Sequence, residues 1–293
     1  MYILAFDIGG TSVKYGVLDR DGEIFEKGKF KTPQNDIDEL IAGILNLKEK
    51  FEKKYELEGI ALSCPGTVDD RTGVIGGASS VPCIHGFDFR AKIREATGIK
   101  NIRMDNDANC AGLAEVWKGA AKNNSDVLFV IFGSGVGGAV IKDKKIHKGA
   151  HLKGGEFGYM IISQECDVLS KVASPVNMAK MVAKRKGLES LTGEEAFKLA
   201  EAGDIIAIEE IERLYYNMAI GIYNIQYIFD TEVIVIGGGI SEREDILENI
   251  EMCMDDILAK VEIAEVAKTR PIIRKCKFRN DANLIGAVYN YIS

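Results

Sequence analysis

Apolar positions along the first third of the chain fall into short runs separated by glycine and polar turns. Residues 2–6, 12–18 and 23–30 form three such runs, divided by Gly9-Gly10 and by Asp19-Arg20-Asp21-Gly22. β-Branched and aromatic runs with this punctuation predict a three-stranded meander. Over 37–55 the period changes to that of a helix, behind Asp36 as its cap. A buried strand over 59–63 ends at Pro65-Gly66, and a helix (89–97), a strand (102–105) and a helix (108–121) follow.

The opening pattern then recurs. A strand over 127–132, a glycine-rich turn over 133–138, a strand over 139–141, a polar turn and a short strand repeat it, with LAFDIGGTSVKYGVLDRDGEI set against LFVIFGSGVGGAVIKDKKI. Helices are predicted over 176–186, 192–201, 205–229, 244–260 and 282–291, with strands at 232–236 and 272–276. An internal duplication of this kind predicts two related α/β domains facing each other, with the ligand in the cleft between them. The boundary is expected within 118–125. This makes 1–118 one domain and 119–279 the other, with a C-terminal helix at about 280–293 packing back on the first.

Composition narrows the function. A length of 293 residues accommodates two domains, and a formal net charge of −7 argues against nucleic acid or an anionic membrane surface as the main partner. No apolar stretch reaches the roughly 20 residues of a membrane span. The apolar start MYILAFDIGG is too short for a signal peptide and lacks a basic segment. The six cysteines have no zinc-knuckle or redox spacing, and His85, His147 and His151 form no metal set with them. A cytoplasmic protein with reduced thiols is expected.

Glycine turns carry the first candidate chemistry. Asp7-Ile8-Gly9-Gly10-Thr11 sets a carboxylate at a strand end beside backbone that a ligand can approach. N–H groups in such turns bind anions, and Asp7 could hold Mg²⁺ directly or through water. A tight hairpin with a capping Asp explains the same residues. Gly133-Ser134-Gly135-Val136-Gly137-Gly138 has the G-x-G-x-x-G spacing, but it leads into a strand where a dinucleotide site needs a helix, so a phosphate-gripping hairpin is expected. No Walker-type sequence is present. Gly237-Gly238-Gly239 follows a strand and would let a ribose or flat ring lie on bare backbone; a plain strand-to-helix turn is the alternative.

Met104-Asp105-Asn106-Asp107-Ala108-Asn109 joins a short strand to a helix. The helix dipole favours an ionised Asp107, which can take the proton of an attacking hydroxyl, while Asn106 can bond neighbouring hydroxyls. Capping alone needs fewer such residues. Glu156, among glycines in Gly154-Gly155-Glu156-Phe157-Gly158-Tyr159, either meets sugar hydroxyls or sits in a mobile surface loop. His151 nearby is a further sugar-contact candidate.

In order, DIGGTSVK (7–14), SCPG (63–66), MDNDANC (104–110), FGSGVGGAV (132–140), GGEFGYM (154–160), VIVIGGG (233–239) and NDANLIGA (280–287) resemble the ROK family (repressors, uncharacterised frames and kinases). The set spans almost the whole chain. The resemblance implies an α/β fold of two actin-like, ribonuclease H-like domains, with mixed sheets flanked by helices and an interdomain cleft for ATP and sugar. It implies that Asp107 is the catalytic base. It gives Asp7, Gly9, Gly10, Thr11 and Lys14 to the first phosphate segment, and Gly133, Ser134, Gly135, Gly137 and Gly138 to the second. Gly237, Gly238 and Gly239 fall to the nucleotide, and Gly66, Ser80, Asn106, Asp107 and Glu156 to the sugar. Ser80 stands where many relatives carry Asn. Tyr159 replaces a His, and only Cys166 remains of a cysteine-rich zinc segment, so no zinc is expected. That pattern is similar to the β-glucoside kinase and N-acetylmannosamine kinase branches. An ATP-dependent, Mg²⁺-requiring sugar kinase acting on a 6-hydroxyl, and a homodimer, are implied. The alternative within the family is a sugar-responsive repressor, but its helix-turn-helix precedes the first phosphate motif, and only six residues precede Asp7 here.

Overall fold

The computed structural model describes residues 1–263 and 265–293. The chain opens on strands β1 (Tyr2–Ile8), β2 (Ser12–Leu18) and β3 (Ile24–Lys31). It continues through α1 (Ile37–Phe51), β4 (Leu57–Cys64), the hairpin β5 (Thr67–Asp69) and β6 (Val74–Gly76), α2 (Phe89–Thr97), β7 (Ile102–Asn106) and α3 (Asp107–Trp117). Next come β8 (Val127–Phe132), β9 (Val136–Lys142), β10 (Lys145–Ile146), α4 (Leu169–Val172), α5 (Pro175–Lys186), α6 (Gly193–Glu201) and α7 (Ile205–Phe229). Strand β11 (Val233–Gly237), α8 (Ile246–Lys260), β12 (Ile273–Lys275) and α9 (Ala282–Ile292) close it. Two compact units result: residues 1–122, 144–154 and 278–293, and residues 123–143 and 155–277.

In the first unit the strands run in the order β3-β2-β1-β4-β7. The meander β1-β2-β3 is antiparallel, and β4 and β7 extend it in parallel. Strands β1 and β4 are buried over most of their length, which is why they read as unbroken apolar runs. Edge strand β3 alternates half-buried and exposed positions, with lysines on its open side. Leu4, Phe6, Ile60 and Leu62 from the sheet pack with Leu40 and Ile44 of α1. Asp36 caps α1 by accepting the Asp38 and Glu39 N–H groups.

In the second unit β9-β8-β11-β12 repeats the arrangement of β2-β1-β4-β7: one antiparallel pair, then two parallel neighbours. Leu128, Val130, Ile234 and Ile236 pack with Leu214, Met218 and Ile222 of the long helix α7 and with Ile250 and Met254 of α8. The duplicated sequence pattern is thus a duplicated topology. The two units consist of mixed sheets flanked by helices.

Several expected boundaries move. Helix α3 stops at Trp117, not 121, because Glu115 gathers the following turn: its backbone carbonyl accepts the Gly119 and Ala121 N–H groups (3.1 and 3.0 Å) and its carboxylate the Ala120 N–H (2.7 Å). That turn also carries the first unit four residues beyond the expected end at 118, to 122. Residues 144–154, expected in the second domain, join the first unit because Lys148 and Lys153 bond to Asp105 and Thr67. Strand β9 begins at Val136, so Gly137 and Gly138 belong to it and the turn shrinks to 133–135. After Gly237-Gly238-Gly239 the chain makes a single 3₁₀ turn (Gly239–Glu242) before α8, not a direct helix. Among the described residues no helix is long and apolar enough to cross a membrane.

Candidate active site

Three parallel strands of the first unit end in polar residues on a single row. Register pairs Asp7 of β1 with Ser63 of β4, and Ser63 with Asp105 of β7. Asp7 is 7% exposed, and its Oδ1 accepts from Ser63 Oγ (3.0 Å) and Asn283 Nδ2 (2.8 Å). Its Oδ2 lies 3.4 Å from Nζ of Lys14, the residue opposite it on β2. Asp105 Oδ1 accepts from Asn109 Nδ2 (2.8 Å) and pairs with Lys148 Nζ (2.9 Å). Each of these two buried carboxylates therefore has its own lysine and its own asparagine.

The asparagines come from a short repeat. Asn106-Asp107-Ala108-Asn109 opens α3, and Asn280-Asp281-Ala282-Asn283 opens α9. In both, the last residue of NDAN bonds a strand-end Asp.

Asp107 differs from its neighbours. It is the first residue of α3, half-buried, with Oδ1 accepting the Ala108 N–H (2.9 Å). No cation pairs with it among the described residues. Loss of hydration therefore dominates, the Ala108 hydrogen bond opposes it, and the nearby Asp7 charge adds to it; the carboxyl is pushed up to about 6. Burial, and then the surrounding carboxylates, push the Cys64 and Cys110 thiols well up, which leaves them protonated and poor nucleophiles.

Asn106 caps α3 through Oδ1, to the Ala108 and Asn109 N–H groups (2.9 and 3.3 Å), and donates Nδ2 to the Gly66 carbonyl (2.9 Å). Its side chain thus joins the helix start to the Pro65-Gly66 turn. Gly66 has φ +96°, and a side chain there would meet His85 Cε1 at 2.8 Å. His85 Nε2 is 2.7 Å from Ser79 Oγ, and the next residue, Ser80, is exposed against Gly10. The Ser79–His85 stretch therefore lines both the Gly66 turn and the first glycine turn, a role that Ser80 alone represents in the sequence motifs.

The first glycine turn is held by donors far along the chain. Gln34 Nε2 donates to the Gly10 carbonyl, Thr32 Oγ1 to the Gly9 carbonyl, and the Thr32 N–H to the Thr11 carbonyl (3.2 Å). A trans peptide points its N–H opposite its C=O, so fixing the Gly9 and Gly10 carbonyls aims the Gly10 and Thr11 N–H groups the other way. The second unit repeats the device. Ser174 Oγ is 2.8 Å from the Gly133 carbonyl and 3.1 Å from that of Ser134, which orients the Ser134 and Gly135 N–H groups. Paired N–H groups of this kind are anion sites. Thr32 and Gln34 carry no local motif, and Ser174 is marked in the sequence only as the Ser-Pro cap of α5, which says nothing of its bond to the glycine turn.

Glu156 is half-buried and heads a 3₁₀ turn over Phe157–Tyr159. The segment is packed against its own unit. Phe157 is 5% exposed, and a side chain on Gly158 would collide with the Val136 carbonyl and Ser170 Oγ. Gly138, in β9, leaves room for the Phe157 ring. The chain then forms a hairpin in which Ile162 N–H bonds the Asp167 carbonyl and Leu169 N–H that of Met160 (both 2.9 Å). These bonds hold the segment that contains Cys166. Among the described residues no group of three or more His, Cys, Asp or Glu could hold a metal ion. His151 is exposed. Gly237 ends β11, Gly238 has φ +91°, and Gly239 faces open space.

A metal bridging phosphates needs little from the protein: one carboxylate, with water and phosphate oxygens filling the rest. Asp7, buried with both oxygens already engaged, fits that part through water.

Residues 3–292 match the model of the ROK family. The chain is 31% identical over 300 residues to the Beta-glucoside kinase of Listeria monocytogenes, covering 100% of this chain and 98% of that protein. It is 36% identical to a ROK family protein from Streptococcus pneumoniae whose crystal structure holds sucrose. The TM-score is 0.90, with 100% and 98% of the two chains covered. A ROK hexokinase from Thermus thermophilus superposes with TM-score 0.85 at 26% identity, over 99% of this chain and 97% of that one.

Proposed function

The chain belongs to the ROK family and is a sugar kinase, and from that premise we propose that ATP is its phosphoryl donor, that a hexose or β-glucoside accepts through its primary 6-hydroxyl, and that Asp107 is the general base. The observation that carries this reading is the contrast among three carboxylates: Asp7 and Asp105 are each paired with a lysine, and Asp107 is left to ionise near pH 6. A base with that value is ionised at neutral pH and remains basic enough to take a proton as the hydroxyl attacks.

The rest of the chemistry is positioning and charge. The outward N–H pairs at Gly10-Thr11 and Ser134-Gly135 receive phosphate oxygens, and Lys14 adds a positive charge at the first pair. Asp7 holds Mg²⁺ through water, and the ion neutralises charge on the phosphates when bound. Gly237, Gly238 and Gly239 take the nucleoside. The Gly66 turn, Ser80, Asn106 and Glu156 bind the sugar's hydroxyls, Asn106 through the one amide hydrogen that its Gly66 bond leaves. His151 is a peripheral sugar contact.

The test is ADP release coupled to a dye, over a panel of free hexoses, N-acetylhexosamines and β-glucosides, with and without Mg²⁺. Sugar-dependent release that disappears in Asp107→Asn while sugar binding persists supports the reading. Wild-type turnover in that variant removes Asp107 from the role.

A further inference from the structure

We propose that His85 is a positioning residue for phosphoryl transfer: by bonding Ser79 and backing Gly66, it fixes the turn assigned to the sugar against the first phosphate turn. The inference rests on the assignments of Gly66 and Asn106 to the sugar and of Gly10 to phosphate.

The imidazole stands directly behind Gly66. A side chain on Gly66 would meet His85 Cε1 at 2.8 Å, the Gly76 carbonyl at 3.0 Å and an Ile75 methyl at 3.2 Å. Cε1 lies between the two ring nitrogens, so that edge of the ring faces the turn. Nε2 is 2.7 Å from Ser79 Oγ, which also accepts the Val81 N–H (3.1 Å). Nδ1 is buried with no hydrogen-bond partner among the described residues. A bare lone pair is a cheaper orphan than a bare N–H, so the proton is assigned to Nε2, the donor to Ser79. A leucine would fill the same space and leave no nitrogen unmet. Packing alone therefore does not call for an imidazole; the bond to Ser79 does.

The stretch that ends at His85 is also tied to the phosphate turn. The Cys83 N–H donates to the Gln34 carbonyl (3.2 Å), and Cys83 Sγ donates to that of Pro33 (3.4 Å). Gln34 is the residue whose side chain holds the Gly10 carbonyl, and Ser80 occupies the space beside Gly10. In the other direction, the carbonyl of Gly66 accepts Asn106 Nδ2 (2.9 Å), next to Asp107. Contacts and a short piece of chain thus join Gly10, Gln34, Cys83, His85, Gly66 and Asn106 in one line within the first unit. A bound sugar moves with Gly66 and Asn106, and a bound phosphate with Gly10. Loosening the line between them leaves each able to bind and spoils their alignment, and misplacement by about 1 Å can cost about 10²-fold in rate.

The test compares His85→Leu, His85→Gln and Ser79→Ala with wild type, using glucose and cellobiose as acceptors. Calorimetry with each sugar, and separately with the ATP analogue AMPPNP, gives the affinities and the number of competent sites per chain. Per competent site, kcat should fall about tenfold to a hundredfold in His85→Leu, with both affinities within about threefold of wild type. Ser79→Ala keeps the ring and drops the bond, and should be slowed in the same way; it decides the matter if His85→Leu does not fold. His85→Gln offers an amide N–H to Ser79 and should recover most of the rate. Wild-type kcat per site in Ser79→Ala, a loss that appears only as weaker sugar binding, or equal rates in His85→Leu and His85→Gln overturns the proposal. Sugar-dependent ADP release by the wild type tests the kinase reading itself, so the two fail separately.

Discussion

The two units share a strand arrangement but are armed differently. At the second-to-last position of its first strand the first unit carries Asp7, opposite Lys14; the second carries Ile131, opposite Gly137. The first unit ends its next two strands near Ser63 and Asp105, whereas β11 of the second ends in Gly237. Yet both glycine turns are braced alike, by side-chain donors on two successive carbonyls. On the proposed reading, the anion grip is a property of the shared backbone, and the acid–base chemistry is an addition to one copy. Backbone N–H groups serve wherever the turn is held, but a carboxylate must be placed, desolvated and kept apart from cations to become a base.

The strongest way to break this comparison is Asp107→Asn. Asn keeps the bond to the Ala108 N–H, so the fold should persist while kcat falls by about 10²–10⁴-fold. Wild-type kcat/KM should fall tenfold per pH unit below about 6 as Asp107 protonates, and a profile flat to pH 5 would refute the assignment. Next is Lys148→Met, which strands Asp105 in a buried position. It should lower the unfolding free energy by about 3 kcal/mol in urea titrations. A loss below about 1 kcal/mol would mean that Asn109 suffices as a partner.

Asp107→Asn should also stabilise the protein at neutral pH. The folded carboxyl binds its proton more tightly than the unfolded one, so above pH 6 the ionised form opposes folding, by at most about 3 kcal/mol for a shift from 3.8 to about 6. The gain in thermal midpoint should be full at pH 8, shrink as pH falls through 6, and vanish below about 4. In the second unit the effects are smaller. Ser174→Ala releases the Gly133 and Ser134 carbonyls and one cap of α5, and should raise the KM for ATP about fivefold with little change in kcat. Ser134→Ala should change either constant by less than about twofold, since the turn is expected to use that residue's backbone. A large kcat effect from Ser134→Ala would mean that the second unit contributes chemistry too.

Much of this was legible from local pattern. Unbroken apolar runs gave β1, β4, β8 and β11, the repeated hairpin gave the duplication, and Asp36 announced its helix as a cap. Asp107 stood out because a strand end meeting a helix start is a short-range feature. The errors were also local in origin. The glycines of 133–138 look alike in sequence, but packing assigns Gly138 to accommodating Phe157 and leaves only 133–135 as the turn. The glycines around Glu156 left a loop open beside a sugar contact, whereas close backbone approach is what they serve.

By itself, the sequence determined the strand and helix periods, the twofold repeat, the net charge and the residue types available for phosphate, sugar and proton. Those depend on neighbours a few positions away. Only tertiary structure decided which carboxylate has no lysine, that Asn283 and Lys148 arrive from 276 and 43 residues away to serve Asp7 and Asp105, and that Thr32, Gln34 and Ser174 turn the glycine carbonyls aside. A pKa and the direction of an N–H are set by whatever lies within a few ångströms, and folding chooses those neighbours without regard to their distance along the chain.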